Sequence, residues 1–90
     1  VIDVARISQG GLASTQVDVR VILREALLKR ATSMILSHNH PSGNVRPSTD
    51  DDRLTQALFQ ASKVMNIRML DHVIITDGAY YSYADEGRIG

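Results

Sequence analysis

The stretch Ser33-Met34-Ile35-Leu36-Ser37-His38-Asn39-His40-Pro41-Ser42-Gly43 decides how this chain is read. Ser33 to Ser37 is a short apolar run that reads as a buried strand, and Pro41 and Gly43 stop it and begin a loop. His38 and His40 stand two apart at the strand end. In extended chain, side chains i and i+2 point to the same side, so both imidazoles can converge on one point. Two neutral imidazoles bind zinc at roughly 2.0–2.1 Å and leave a four-coordinate site incomplete, which a carboxylate and a water would finish.

Downstream, a second helix is expected from Ser48, with Leu54, Ala57, Leu58, Ala61 and Met65 along its inner face and Asn66 at its end. Asp51, in its first turn, is the natural third ligand. Asp50 and Asp52 rival it on proximity, but successive helical residues differ by about 100° in direction, so only one faces the metal well. A reading without metal stands beside this one. Ser48 and Asp51 make a capping box, and the Asp50-Asp51-Asp52 run complements a helix dipole. Ile67 to Thr76 alternates and then runs apolar, Asp77-Gly78 is a hairpin signal, and Ala79 to Tyr83 returns as a strand.

Upstream, Val1 to Ser8 is rich in β-branched residues and reads as a strand, and Gly10-Gly11 as a turn. Thr15 with Asp18 resembles a helix-opening cap. Val19, Ile22, Leu23, Ala26 and Leu27 then recur at helical spacing, while Arg20, Arg24, Glu25 and Lys29 fall away from that face. The order strand, helix, strand, helix, strand, strand predicts an α/β fold, a mixed β-sheet with flanking helices. No repeat or linker interrupts it, so residues 1–90 are one unit.

Composition narrows the function. An apolar content of 43% suits a globular chain rather than a disordered one. No apolar run is long enough for a membrane span, and no signal pattern opens the chain. The absence of cysteine removes disulfides and thiolate ligands, leaves histidine and carboxylate as the metal donors, and fits a cytoplasmic protein. Ten basic residues balance ten acidic ones without gathering into a stripe, which argues against nucleic-acid binding through this domain.

The segment His38-x-His40, seven residues, Ser48, two residues, Asp51 resembles the signature of the JAMM (MPN-plus) metalloproteases. The wider text His38-Asn39-His40-Pro41-Ser42-Gly43, Pro47-Ser48 and Leu70-Asp71-His72-Val73-Ile74 is similar to the bacterial RadC family, across the whole chain. The resemblance implies JAMM/MPN (cytidine-deaminase-like) architecture, Zn2+ as cofactor, and His38, His40 and Asp51 as its ligands. It implies that Ser48 stabilises the oxyanion of a tetrahedral intermediate. A metal-activated water would then hydrolyse an amide, in a peptide or protein substrate, with help from a general base. Asn39 stands where many relatives have Ser or Thr, a subfamily trait.

One departure bears on activity. In the family the base is a glutamate on a strand upstream of the His-x-His segment, and the only glutamates here are Glu25 and Glu86. The expectation is a domain lacking an upstream strand and that catalytic glutamate, whose open sheet edge invites a homodimer. His72 reads either as a partner orienting the site or, more simply, as a core histidine satisfied locally. Three functions compete: a zinc peptidase or amidohydrolase, a non-catalytic DNA-repair protein as the family label suggests, and a protein-binding MPN module. A nucleobase deaminase would need Pro-Cys-x-x-Cys ligands, and there is no cysteine.

Overall fold

In the computed structural model, which describes residues 4–9, 17–40 and 43–89, the elements follow the expected order. They are β1 (Val4–Gln9), α1 (Val19–Leu28), β2 (Ser33–Asn39), α2 (Thr49–Val64), β3 (Arg68–Thr76) and β4 (Ala79–Ser82). The Gly10-Gly11 turn, Thr15 and the Pro41-Ser42 part of the loop lie outside the described residues. Asp18 caps α1, its carboxylate accepting from the Arg20 amide at 2.9 Å.

The sheet has the order β1-β2-β3-β4, with β1, β2 and β3 parallel and β4 antiparallel to β3. Parallel neighbours in unbroken order place both crossover helices on one face. That face is the core: Ala5 and Ile7 of β1, Met34 and Leu36 of β2, and Met69 of β3 meet Ile22 and Ala26 of α1 and Leu54 and Leu58 of α2. Burial of a side chain such as Leu58, fully enclosed, stabilises by about 1.5–3 kcal/mol.

Two features depart from the sequence pattern. The inner face of α2 is Asp51, Leu54, Thr55, Leu58 and Ser62, whereas Ala57 and Met65 are exposed and Ala61 is half-buried. The stripe is rotated because polar residues occupy part of it, so apolar spacing alone misplaces its axis. In β3, Met34 pairs with Met69 but Ile35 pairs with Asp71, so Leu70 is an extra residue, a bulge. The bulge turns His72 rather than Asp71 toward the helices, opposite Leu36.

Candidate metal centre

β2 alternates, with Met34, Leu36 and His38 buried, so His38 enters the helix-covered face at the end of a rigid run. His40 lies just past the strand, where its N–H donates to the Ile75 carbonyl at 3.1 Å and extends the pairing with β3. The two rings meet edge to face, with centroids 5.2 Å apart. The convergence expected from the i, i+2 spacing is present.

α2 supplies the carboxylate. Ser48 is its N-cap, with Oγ accepting from the Asp51 amide at 3.0 Å while Asp51 Oδ2 accepts from the Ser48 amide at 2.8 Å. This capping box fixes Asp51, which is wholly buried, so that Oδ2 lies 2.8 Å from His40 Nε2 and Oδ1 lies 3.3 Å from His38 Nδ1. The two rivals face elsewhere. Asp50 lies 3.9 Å from Arg53, and Asp52 accepts from the Tyr83 hydroxyl at 2.8 Å and from Arg88 at 2.6 Å. His38, His40 and Asp51 thus form a group whose ligand atoms all lie within 4.8 Å of one another.

The donor chemistry suits a cation. His40 Nδ1 lies 2.7 Å from the Asn44 carbonyl, which can only accept, so Nδ1 carries the hydrogen. In the neutral ring Nε2 is then a lone pair, facing a carboxylate oxygen at 2.8 Å. Two acceptors at that distance need a positive charge shared between them, which either a proton on His40 or a metal ion held by both groups supplies. A ligating histidine whose other nitrogen donates to a backbone carbonyl is the usual supporting arrangement.

Behind His38 lies His72, which is fully buried, and burial pushes its pKa down to about 4, helped by the neighbouring His38. Its ring stacks on that of Tyr83 at 4.9 Å, with 2° between the planes, and more loosely on His38 at 6.0 Å. Arg88 covers Tyr83 at 4.8 Å. His72 Nδ1 lies 2.6 Å from Thr55 Oγ1, and that hydroxyl lies 2.8 Å from the Asp51 carbonyl. Asn44, Thr55 and Tyr83 were not legible as parts of the site. For Thr55 a signal existed: it sits four residues after Asp51, on the same helical face.

A RadC-like JAB domain model matches residues 1–88. The chain belongs to that family. The JAB domain is 46% identical over 87 residues to a UPF0758 protein of Flavobacterium johnsoniae, covering 97% of this chain and 38% of that protein. It is 48% identical over 88 residues to a UPF0758 protein of Porphyromonas gingivalis, covering 97% and 39%. A UPF0758 protein of Methanococcoides burtonii shares 45% over 83 residues, 92% of this chain and 36% of its own. The chain therefore spans about two-fifths of the length of these curated relatives. Among the described residues of the JAB domain, no helix is long and apolar enough to cross a membrane.

Proposed function

We propose that this JAB domain is a zinc-dependent hydrolase of amide bonds, with His38, His40 and Asp51 as the metal ligands. The observation that supports it is His40 Nε2 held 2.8 Å from the Asp51 carboxylate, beside His38 in a largely buried cluster of metal-binding side chains. When bound, such an ion supplies Lewis acidity and lowers the pKa of a coordinated water.

The chain's own groups have distinct tasks. The Asn44 carbonyl holds the His40 ring, and the Ser48 amide holds the Asp51 carboxylate. Ser48 Oγ caps α2 with a lone pair, and among the described residues its hydroxyl hydrogen is not donated, so it is available to an oxyanion forming on a scissile carbonyl. A cavity of about 300 Å3, lined by His40, Asn44, Arg46, Pro47 and Ser48, opens beside these groups and gives an extended peptide or protein segment a place to lie. The partners in this reading are such amide substrates in the cytoplasm, and a second copy along the outer edge of β1; nucleic acid is not among them.

One observation favours a second reading, a metal-holding module that binds protein without turnover. Glu25 pairs with Lys29 on α1 and Glu86 lies in the turn after β4, so neither glutamate joins the cluster as general base. Incubating the zinc-loaded chain with a mixture of acetylated peptides, read by mass spectrometry, separates the two. Cleavage that a chelator or Asp51→Ala abolishes supports the hydrolase. Full zinc occupancy without any cleavage supports the binding module.

A further inference from the structure

We propose that His72 is a positioning residue of the metal centre: through Thr55 it fixes the turn of α2 that carries Asp51, and its ring backs that of His38. The inference rests on the metal-holding reading of the cluster and adds a support that the motif does not contain.

The direction of the hydrogen bonds follows from counting protons. Thr55 Oγ1 has one hydrogen; it lies 2.8 Å from the Asp51 carbonyl and 2.6 Å from His72 Nδ1, with the Tyr83 hydroxyl, which gives its own hydrogen to Asp52, also within hydrogen-bonding reach. A carbonyl cannot donate, so the threonine hydrogen goes to Asp51, and His72 Nδ1 carries a hydrogen that it donates to Thr55. The relay runs from the His72 N–H to the Thr55 hydroxyl to the carbonyl of Asp51. It ties β3 to the residue whose side chain faces both His38 and His40.

A filler of the core would be built differently. With Nδ1 as the donor, His72 Nε2 is a buried acceptor without a hydrogen-bond partner among the described residues. Such a group costs about 1–3 kcal/mol, which an apolar side chain of similar shape would avoid. Holding an imidazole here stabilises the fold less than a phenylalanine would, and what the imidazole adds is the bond to Thr55. The Leu70 bulge has the same effect, because it is what turns His72 toward α2 in place of Asp71. Tyr83, stacked on His72 and held by Asp52 of the same helix, keeps the ring from tilting away from Thr55.

The test is zinc affinity of the full chain, measured by competition with a chromophoric chelator, for the parent, Thr55→Val, Thr55→Ser, His72→Phe, His72→Asn and the Thr55→Val/His72→Phe pair. Thr55→Val and His72→Phe are each expected to weaken zinc binding roughly 10–100-fold, as loss of a ligand's supporting bond does. The pair should bind no worse than the weaker single variant, because both remove one relay. His72→Asn, whose amide N–H takes the place of Nδ1–H, and Thr55→Ser, which keeps the hydroxyl, should bind nearly as the parent does. Parent-like affinity in His72→Phe, or losses that multiply in the pair, would overturn the role of His72. If His72→Phe does not fold, the Thr55→Val and Thr55→Ser comparison decides, and equal affinity in those two overturns it. A parent that binds no zinc overturns the metal centre itself, a result read before any variant.

Discussion

His40 Nε2 and Asp51 Oδ2 face each other at 2.8 Å, and in the neutral ring both are acceptors, because the Nδ1 hydrogen is donated to the Asn44 carbonyl. Nothing about helix capping demands this. The capping box needs only Asp51 and Ser48, and His40 could point to solvent from the loop that follows β2. Strand, loop and helix start instead bring three donors of metal-binding type to one buried point.

Ser48 has two tasks that a single substitution separates. Ser48→Ala removes the side-chain cap of α2 and should lower stability by about 0.5–2 kcal/mol. It leaves the Ser48 amide bonded to Asp51 Oδ2, so zinc stoichiometry should not change. Denaturant unfolding of the metal-free protein, alongside a zinc titration, reads both. Loss of zinc binding in this variant would show that the cap, rather than the amide, positions the carboxylate.

Asp71 holds the bulged strand to the turn that follows β4. Its Oδ1 accepts from the amides of His72 and Ala84, at 2.8 and 2.9 Å, and its Oδ2 accepts from Ser82 Oγ at 2.5 Å. Asp71→Asn must turn an amide N–H toward one of these donors, and should cost roughly 1–3 kcal/mol. Ser82→Ala should cost less, since the two backbone donors remain. A shift in the denaturation midpoint larger for Ser82→Ala than for Asp71→Asn would contradict this ranking.

His72 makes the metal-free fold sensitive to acid. Its pKa, 6.5 in the ordinary case, is about 4 in the folded chain because burial disfavours the charged ring. Between those values the unfolded chain binds a proton that the folded chain does not, so stability falls as pH drops from 6.5 toward 4. The loss from this group reaches roughly 3 kcal/mol at the lower end. Unfolding free energies at pH 7 and pH 5 should therefore differ less in His72→Asn than in the parent. An identical pH slope in the two proteins would mean that His72 takes up its proton in the fold as readily as in the unfolded chain.

Much of this was readable from residues alone. Periodicity gave the element order, and Gly78, at φ +79°, marks the hairpin read from Asp77-Gly78. The His38, His40, Ser48 and Asp51 spacing, read through the family resemblance, pointed to the candidate cluster, because backbone geometry ties those positions to a strand end and a helix start. Three parts were hidden for physical reasons. The buried face of α2 carries Asp51, Thr55 and Ser62, polar side chains satisfied by local or site bonds, and an apolar stripe cannot reveal them. The Leu70 bulge has no glycine or proline to announce it. Tyr83 read as the end of a strand, yet its side chain is buried against His72, a contact set by chain segments distant in sequence.

The central claim is that His38, His40 and Asp51 together hold one metal ion. Elemental analysis tests it most directly, on protein purified without chelator or a histidine tag, supplied with zinc and dialysed, beside His40→Ala and Asp51→Ala. The account predicts about one zinc per chain in the parent and essentially none in either variant. No metal in the parent, or undiminished metal in both variants, would contradict it.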